Sequence, residues 1–360
     1  MTALDTEPDH TTPSTSQQVI EAARALGPTI AGRAADVERA RRVPRDLLDT
    51  LIDTGCFRMI APRTHGGLSA DLPDALRLFE TLAEADASVA WTVMIGGAGW
   101  IDLATLPRAT FDALFPADRP NIVAGAFNPT GKIAPTADGY RVTGRWSLAS
   151  GCEHATVLFG NSIEGFVDGA PVLRLSAFRP DQVQIEDTWY AVGLSGSGSH
   201  HFSVTDLALP ADHTSLPLSD PPCLDEPVLR IPLPTLAPLA ITSVAIGTAR
   251  AALDDIITLA RHRVPLFSDA PLAAGAVFRA ELAERHTALA AARGLLRDVT
   301  YDLWTSALAG SFPTLDQRAA ARVIFRDGGA RLGNRLGDNR AVDRVGARTG
   351  DDDRLLFRGL

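Results

Sequence analysis

Gly144-Arg145-Trp146-Ser147-Leu148-Ala149-Ser150-Gly151-Cys152-Glu153-His154-Ala155 is the stretch from which the fold is read. Tyr140 to Trp146 reads as a strand, and after Trp146 the chain turns into a loop of small residues. A hydroxyl at such a strand end can donate to an acceptor atom of a flat ring, and Trp146 offers an aromatic face or edge. The same residues also read as a strand, a glycine turn and a core tryptophan. Cys152, Glu153 and His154 are adjacent and diverge, and no second ligand pair stands at metal spacing, so no metal site is expected.

The strand signal continues on both sides. Ile122-Val123 to Phe127, Thr156 to Phe159, Val172 to Phe178, Val183 to Trp189 and Phe202 to Leu209 are short strand-like runs. Pro129-Thr130-Gly131, Asp138-Gly139, Asp168-Gly169 and Pro180-Asp181 separate them as turns. Closely spaced strands with no helix between them predict an antiparallel sheet or barrel over residues 120–215. No β-α-β unit appears and no GxGxxG follows a strand, which argues against a dinucleotide-binding Rossmann domain.

Further out, the period changes to that of helices. Residues 17–119 carry Ile20, Ala23, Leu26 and Ile30 at helical spacing. Pro44 opens a second helix through Leu47, Leu48 and Leu51, stopped at Gly55. Asp74 to Ala85 is amphipathic, and Ser88 to Ile101 is almost uncharged, as a buried helix is. In residues 225–325, Leu253, Ile256, Ile257 and Ala260 form one apolar stripe. Phe278, Leu282, His286, Leu289 and Ala292 form another, and a third bundle helix reaches Phe325. The expected architecture is α+β, mainly α: an N-terminal helical domain, a central antiparallel β-barrel and a C-terminal helical bundle.

Composition bounds the function. The chain has 360 residues, 46% of them hydrophobic, and a net charge of −9, which speaks against general binding to nucleic acid or an anionic membrane. Lys132 is the one lysine among 34 basic residues. Cys56, Cys152 and Cys223 are too few and scattered for a disulfide framework, and a reducing cytoplasm fits. Residues 1–16 are acidic and rich in Thr, Ser and Pro; they read as a disordered tail with no secretory signal. Ile231 to Ala249 is uncharged but holds Pro232, Pro234 and Pro238, and reads as a buried bundle helix rather than a membrane span.

Other candidate sites are open to two readings. Gly193-Leu194-Ser195-Gly196-Ser197-Gly198-Ser199 is either an anion-binding nest or a flexible hairpin loop. His200 and His201 point to opposite faces of a strand and read as structural. Arg261-His262-Arg263 with Phe267 is either a phosphate-binding cluster or a solvated helix end. Asp254-Asp255 faces solvent by periodicity. There is no HExxH and no Ser-His-Asp order.

Three stretches resemble the acyl-CoA dehydrogenase superfamily, and within it the flavin-dependent monooxygenase branch that includes two-component aromatic hydroxylases. They are Val43 to Gly67, Gly144 to Ala155, and Trp189 to Ser199 with Asp206 to Pro210. The resemblance covers roughly residues 17–325 and implies a C-terminal four-helix bundle that forms a tetramer or dimer. It implies reduced flavin (FMNH2 or FADH2) delivered by a separate flavin reductase, O2 as co-substrate, and a dry pocket. By position, Ser150 matches the family's flavin-contacting, catalytic serine. Leu148 and Ala149 match the two residues before it, Trp91 a tryptophan near the flavin, and Gly125 a strand residue near the ring. Arg263 and Phe267 resemble the pair that meets the flavin phosphate across a subunit interface.

The chain departs from that pattern in three places. Leu148-Ala149 stands where the family often has Trp-Ser. Val93 to Ile101 lacks the hydroxylases' phenol-positioning histidine and has Gly96, Gly97 and Gly99 instead, which opens room for a larger or non-phenolic substrate. After Phe325, residues 326–360 become rich in Arg, Asp and Gly; they are expected to pack loosely, leaving the bundle without its last helix. Two further readings stay open: an acyl-CoA dehydrogenase or related flavin oxidase, and a catalytically impaired relative. The first needs a glutamate in the C-terminal bundle, and none stands in matching context.

Overall fold

The computed structural model describes residues 15–324. The expected tail over 1–14 and the Arg/Asp/Gly-rich segment 326–360 lie outside the described residues. Two positions assigned to that tail are ordered. The Thr15 side chain accepts from the Gln18 amide while the Gln18 side chain accepts from the Thr15 amide, and helix α1 (Ser16–Gly32) starts behind this cap.

Short helices α2 (Ala34–Ala40) and α3 (Arg45–Asp53) follow. Pro44 stands before α3, and Gly55, at φ 85°, turns the chain out of it. Helix α4 (Leu72–Ala83) is largely buried, and α5 (Ala87–Ala98) is capped by Asp86, which accepts from the Val89 amide. Gly99 keeps right-handed helical angles, so α5 runs on into α6 (Trp100–Leu103). Helix α7 (Arg108–Leu114) closes this unit.

Among the described residues seven strands form one sheet: β1 (Val123–Thr136), β2 (Gly139–Trp146), β3 (Val157–Val167), β4 (Ala170–Phe178), β5 (Gln184–Glu186), β6 (His201–Leu209) and β7 (Thr214–Ser215). Their order is β5-β6-β2-β1-β3-β4-β7. The expectation of a closed, wholly antiparallel barrel is corrected on two counts. No ladder joins the outer strands β5 and β7, so the sheet is open. In addition, β1 and β3 run parallel, with Val123 opposite Val157 and Phe159 opposite Gly125. Pro129-Thr130-Gly131 is not a turn either. It is an irregularity inside the single long strand β1, whose register shifts between Ala126 and Gly131.

The sheet's core is built around Trp146, which is fully buried, stacks on Phe202 at 5.0 Å and donates to the Asn161 carbonyl at 2.7 Å. It stands in a cage of glycines. A Cβ on Gly131, Gly144 or Gly160 would fall 2.4–2.6 Å from its ring atoms. Its role is to pack the sheet, and neither face is open to a ligand.

The C-terminal part holds α8 (Leu233–His262), α9 (Ala276–Leu308) and α10 (Leu315–Val323). Among the described residues α8 is long and apolar enough to cross a membrane, yet half of its apolar window is buried against the rest of the fold. It packs on α4, α5, α9 and α10, as expected of a bundle helix. Arg293 on α9 pairs with the buried Glu80 of α4 at 2.7 Å. Leu259, Val264, Leu266, Phe267, Leu295 and Tyr301 remain exposed on this side of the single chain.

Candidate functional site

The parallel pairing of β1 with β3 dictates where the site lies. After the β1–β2 hairpin the chain must return to the start of β1 before β3 can begin, and residues 147–156 make that return. The Ile122 carbonyl accepts from the Thr156 amide at 2.7 Å and fixes the far end of the crossing. Ser150 therefore sits beside the N-terminal helices, at their seam with the sheet.

Three residues, far apart in sequence, meet there. Trp91 Nε1 on α5 donates to Ser150 Oγ at 3.0 Å. Ser150 Oγ lies 2.7 Å from Ser199 Oγ, which lies 2.7 Å from Ser197 Oγ. A serine hydroxyl has one proton and two acceptor positions. With the chain running Ser197 to Ser199 to Ser150, both acceptor positions of Ser150 are filled, by Ser199 and by Trp91. Its own proton is then free for an acceptor outside the protein.

Ser197 and Ser199 were the partners that sequence reasoning missed. The Gly193–Ser199 run is neither an exposed nest nor a flexible hairpin: Ser195, Gly196, Ser197 and Ser199 are buried. A Cβ on Gly196 would lie 2.1 Å from Val37 on α2 and 3.1 Å from Ser88 on α5. The Ser197 carbonyl accepts from the Gly151 amide at 2.8 Å, locking loop to loop. The alternation of serine with glycine was the available signal, since only residues this small fit under a helix.

The flanking residues divide by side. Leu148 adopts a left-handed backbone (φ 62°), which a leucine reaches at a cost of about 1–2 kcal/mol, and its side chain is 56% exposed at the mouth of the site. Ala149 points the other way; its methyl is fully buried in the sheet core and its amide donates to the His200 carbonyl at 3.0 Å. The Ala149 carbonyl accepts from the Cys152 amide at 3.1 Å, so its side chain, amide and carbonyl are all taken up inside the protein. Gly125 faces Phe159, whose ring atoms lie 2.3 Å from where a Cβ would stand. Arg263 ends α8, where its carbonyl accepts from the Leu272 amide at 2.8 Å, and Phe267 is 97% exposed. The structure of one chain thus joins Trp91 and Ser150 and leaves Phe267 away from them.

Neighbouring polar groups are committed to structure. Glu153 pairs with Arg42 at 2.9 Å, and burial pushes the Cys152 thiol up to about 12, which keeps it protonated and inert. Burial likewise lowers the His154 imidazole below its usual range. His200 Nδ1 accepts from the Thr188 amide and His201 Nδ1 contacts the Thr188 hydroxyl at 2.7 Å, so the two histidines brace the 188 turn. Asp187, held down to about 2 chiefly by its hydrogen bond from Arg41, ties α2's end to the same turn.

One carboxyl further along the helix that carries Trp91 was not anticipated. Asp102 on α6 is the only charged residue between Asp86 and Arg108. It is half-buried, and burial pushes its carboxyl up to about 8. A lone acid in a long uncharged run was the sequence signal for it.

Comparison with known proteins places this geometry. Residues 14–104 match the family model of the acyl-CoA dehydrogenase N-terminal domain, and residues 239–336 match that of the acyl-CoA dehydrogenase C-terminal domain. Indole-3-acetate monooxygenase of Pseudomonas putida is 29% identical over 283 residues, covering 77% of this chain and 71% of its own. The flavin-dependent monooxygenase oxygenase subunit HsaA of Rhodococcus jostii is 32% identical over 240 residues, covering 64% of this chain and 62% of its own. The crystal structure of the HsaA monooxygenase from Mycobacterium tuberculosis superposes with a TM-score of 0.83 at 25% identity, covering 96% of this chain and 91% of its own.

Proposed function

The chain belongs to the acyl-CoA dehydrogenase family, flavin-dependent monooxygenase branch, and we propose that it is the oxygenase component of a two-component monooxygenase acting on an aromatic substrate. The observation that carries this reading is the hydrogen-bonded chain from Ser197 through Ser199 to Ser150, closed by Trp91. Where Ser197 donates to Ser199 and Ser199 to Ser150, it leaves one oriented hydroxyl donor at the seam between the sheet and the N-terminal helices, which fits an acceptor atom on the edge of a flavin.

Bound reduced flavin would supply the electrons for activating O2 and inserting one oxygen atom into the substrate. The protein's own residues hold and orient it. Ser150 would donate to it, with Trp91 and Ser199 as the partners that orient the hydroxyl, and the exposed Leu148 would offer it an apolar side chain where a tryptophan would stack. The buried Ser195–Ser199 loop excludes water from behind the serine.

Phe267 and Arg263 belong to this reading through a second copy. The exposed apolar residues of α8, α9 and the segment between them fit burial against another subunit, in a dimer or tetramer, and this would bring Phe267 to the flavin phosphate. A separate reductase supplies the reduced flavin, and the compartment that suits it is the cytoplasm. The units 17–119, 120–215 and 225–325 serve as the helical, sheet and bundle parts of each subunit.

Anaerobic fluorescence titration with FMNH2 and FADH2 tests the reading. Reduced flavin should bind more tightly than oxidised, and NADH should not be oxidised by the protein alone. Unaided NADH oxidation, or acyl-CoA binding without reduced-flavin binding, would overturn it.

A further inference from the structure

Two consecutive arginines stand where α2 ends, and each reaches a different one of the two loops that make the serine chain. Arg41 has a left-handed backbone (φ 52°), which turns the chain out of the helix. Its guanidinium donates through both terminal nitrogens to the Asp187 carboxylate, with Nη2 at 3.0 Å, and also to the Trp189 carbonyl at 3.0 Å. Its central carbon lies 4.1 Å from the centre of the Tyr190 ring, whose hydroxyl donates to the same Asp187 at 2.8 Å. Arg42 instead donates to Glu153 on the crossover loop at 2.9 Å.

Both grips close on one residue. Gly198 stands between Ser197 and Ser199 at φ 53°, and a Cβ there would lie 3.3 Å from the Arg41 carbonyl, 3.7 Å from the Arg42 Cβ and 3.7 Å from Glu153 Oε2. One turn back along α2, the Glu38 carbonyl accepts from Ser195 Oγ at 3.3 Å. The two loops are also joined to each other. The Ala149 amide donates to the His200 carbonyl and the Gly151 amide to the Ser197 carbonyl, so the Ser150–Ser199 contact is held between two backbone bonds. Seven non-glycine residues among those described have a positive φ, and three of them, Arg41, Leu148 and Leu194, stand in the three segments that meet here. Strained backbone persists where its surroundings over-determine it, and it collects at functional sites. Folding stability is a poor reason for the two ion pairs, because Asp187 and Arg42 are more than half exposed and such pairs add little.

We propose that Arg41 and Arg42 are positioning residues for Ser150. Arg41 fixes the 187–199 loop, Arg42 fixes the crossover loop, and together they hold Ser199 and Ser150 at the spacing that aims the Ser150 hydroxyl. The inference rests on the reading that flavin lies at Ser150. Both arginines act through the loops and not on the ligand. An O–H···O bond spans only about 2.5–3.0 Å, so a small parting of the loops breaks the contact and frees the hydroxyl to rotate.

Anaerobic titration of the full-length protein with FMNH2 and FADH2 gives the first test. Ser150→Ala should weaken reduced-flavin binding about threefold to tenfold, the span expected for one hydrogen bond. Arg41→Ala and Arg42→Ala should each weaken it by a like factor, yet add no further loss in the Ser150→Ala background, where the group they aim is gone. Arg42→Lys can keep the single contact to Glu153 and should bind as wild type does. Arg41→Lys cannot reproduce the fork that holds Asp187 and Trp189 together, and should lose as much as Arg41→Ala. Losses that multiply in the double variants would overturn the proposal, since a merely structural role is felt with or without Ser150. Wild-type affinity in both alanine variants, or in Arg41→Lys, would overturn it too.

The second test needs no flavin. The chain has five tryptophans, and labelling with 5-fluorotryptophan gives each its own 19F line. Ser150→Ala should move the Trp91 line, because the indole N–H loses its acceptor. Arg41→Ala and Arg42→Ala should move it the same way and leave Trp304, on α9, in place. A Trp91 line unmoved in both arginine variants would overturn the positioning role. Wild-type protein that binds no reduced flavin, while the Trp91 line shifts as expected, would sink the proposed function and leave the two arginines as positioning residues of Ser150.

Discussion

The indole N–H of Trp91 donates to Ser150 Oγ at 3.0 Å, joining an N-terminal helix to the crossover loop of the sheet over 59 positions of sequence. This bond fills one of the two acceptor positions of Ser150 and leaves its own proton to Ser199 or to an acceptor outside the protein. The reading of the site turns on that arrangement.

Ser150→Ala removes the donor and leaves Trp91 Nε1 without its acceptor. An unpaired buried donor costs about 1–3 kcal/mol, so the variant should unfold at lower urea than wild type while keeping its fold. It should also release more peroxide per reduced flavin consumed. An unchanged product-to-peroxide ratio would remove Ser150 from the site.

Trp91→Phe keeps the ring's bulk and removes the N–H. In a double-mutant cycle with Ser150→Ala, the coupling should be about 0.5–1.5 kcal/mol, the usual worth of one such bond. Urea denaturation of the four proteins measures it. Strictly additive losses would mean that the two side chains do not interact in solution.

Asp102 carries a sign that is unusual for an aspartate. Its carboxyl is near 8 in the fold against 3.8 for the unreacted group, so between these values the folded state holds a proton that the unfolded chain has released. Stability from this group is therefore fully present below 3.8 and falls as pH rises towards 8. Asp102→Asn abolishes that dependence. Relative to wild type, its urea midpoint should rise steadily between about pH 5 and pH 8; a constant difference would show that the carboxyl ionises freely in the folded protein.

Gly160→Ala places a methyl about 2.6 Å from the Trp146 ring. Overpacking of this kind costs typically 1–3 kcal/mol. Thermal unfolding should drop by several degrees, with Trp146 fluorescence altered in the folded baseline. A wild-type melting temperature would mean that the cage is looser than it stands here.

Phe267→Ala tests the inter-subunit assignment. With its ring 97% exposed, the residue should change the chain's own stability by no more than about 0.5 kcal/mol. Retention of reduced flavin on gel filtration should nevertheless fall. Retention equal to wild type would leave Phe267 outside the flavin site.

The sequence by itself determined the element types and their order, because periodicity is a local property. The 3.6 period through Leu47, Leu48 and Leu51, the Pro44 start and the Gly55 stop needed no distant partner to be read, and α3 forms as expected. So did the change to strands around Tyr140–Trp146 and the return to helix at Leu253. What only the tertiary structure decided were relations between distant segments. The open sheet and the parallel β1–β3 pair depend on which strand edges meet, and alternation within a strand is the same for either direction. The partners of Ser150 lie on α5 and on a loop near residue 199, and hydrogen bonding between side chains leaves no trace in local sequence. Leu148 and Ala149 are adjacent, yet one faces outward and the other into the core, a choice made by the left-handed turn at Leu148. Asp102 looked like any solitary acid until its enclosure set its charge, because desolvation is the work of the whole surrounding fold and not of the residues beside it in the chain.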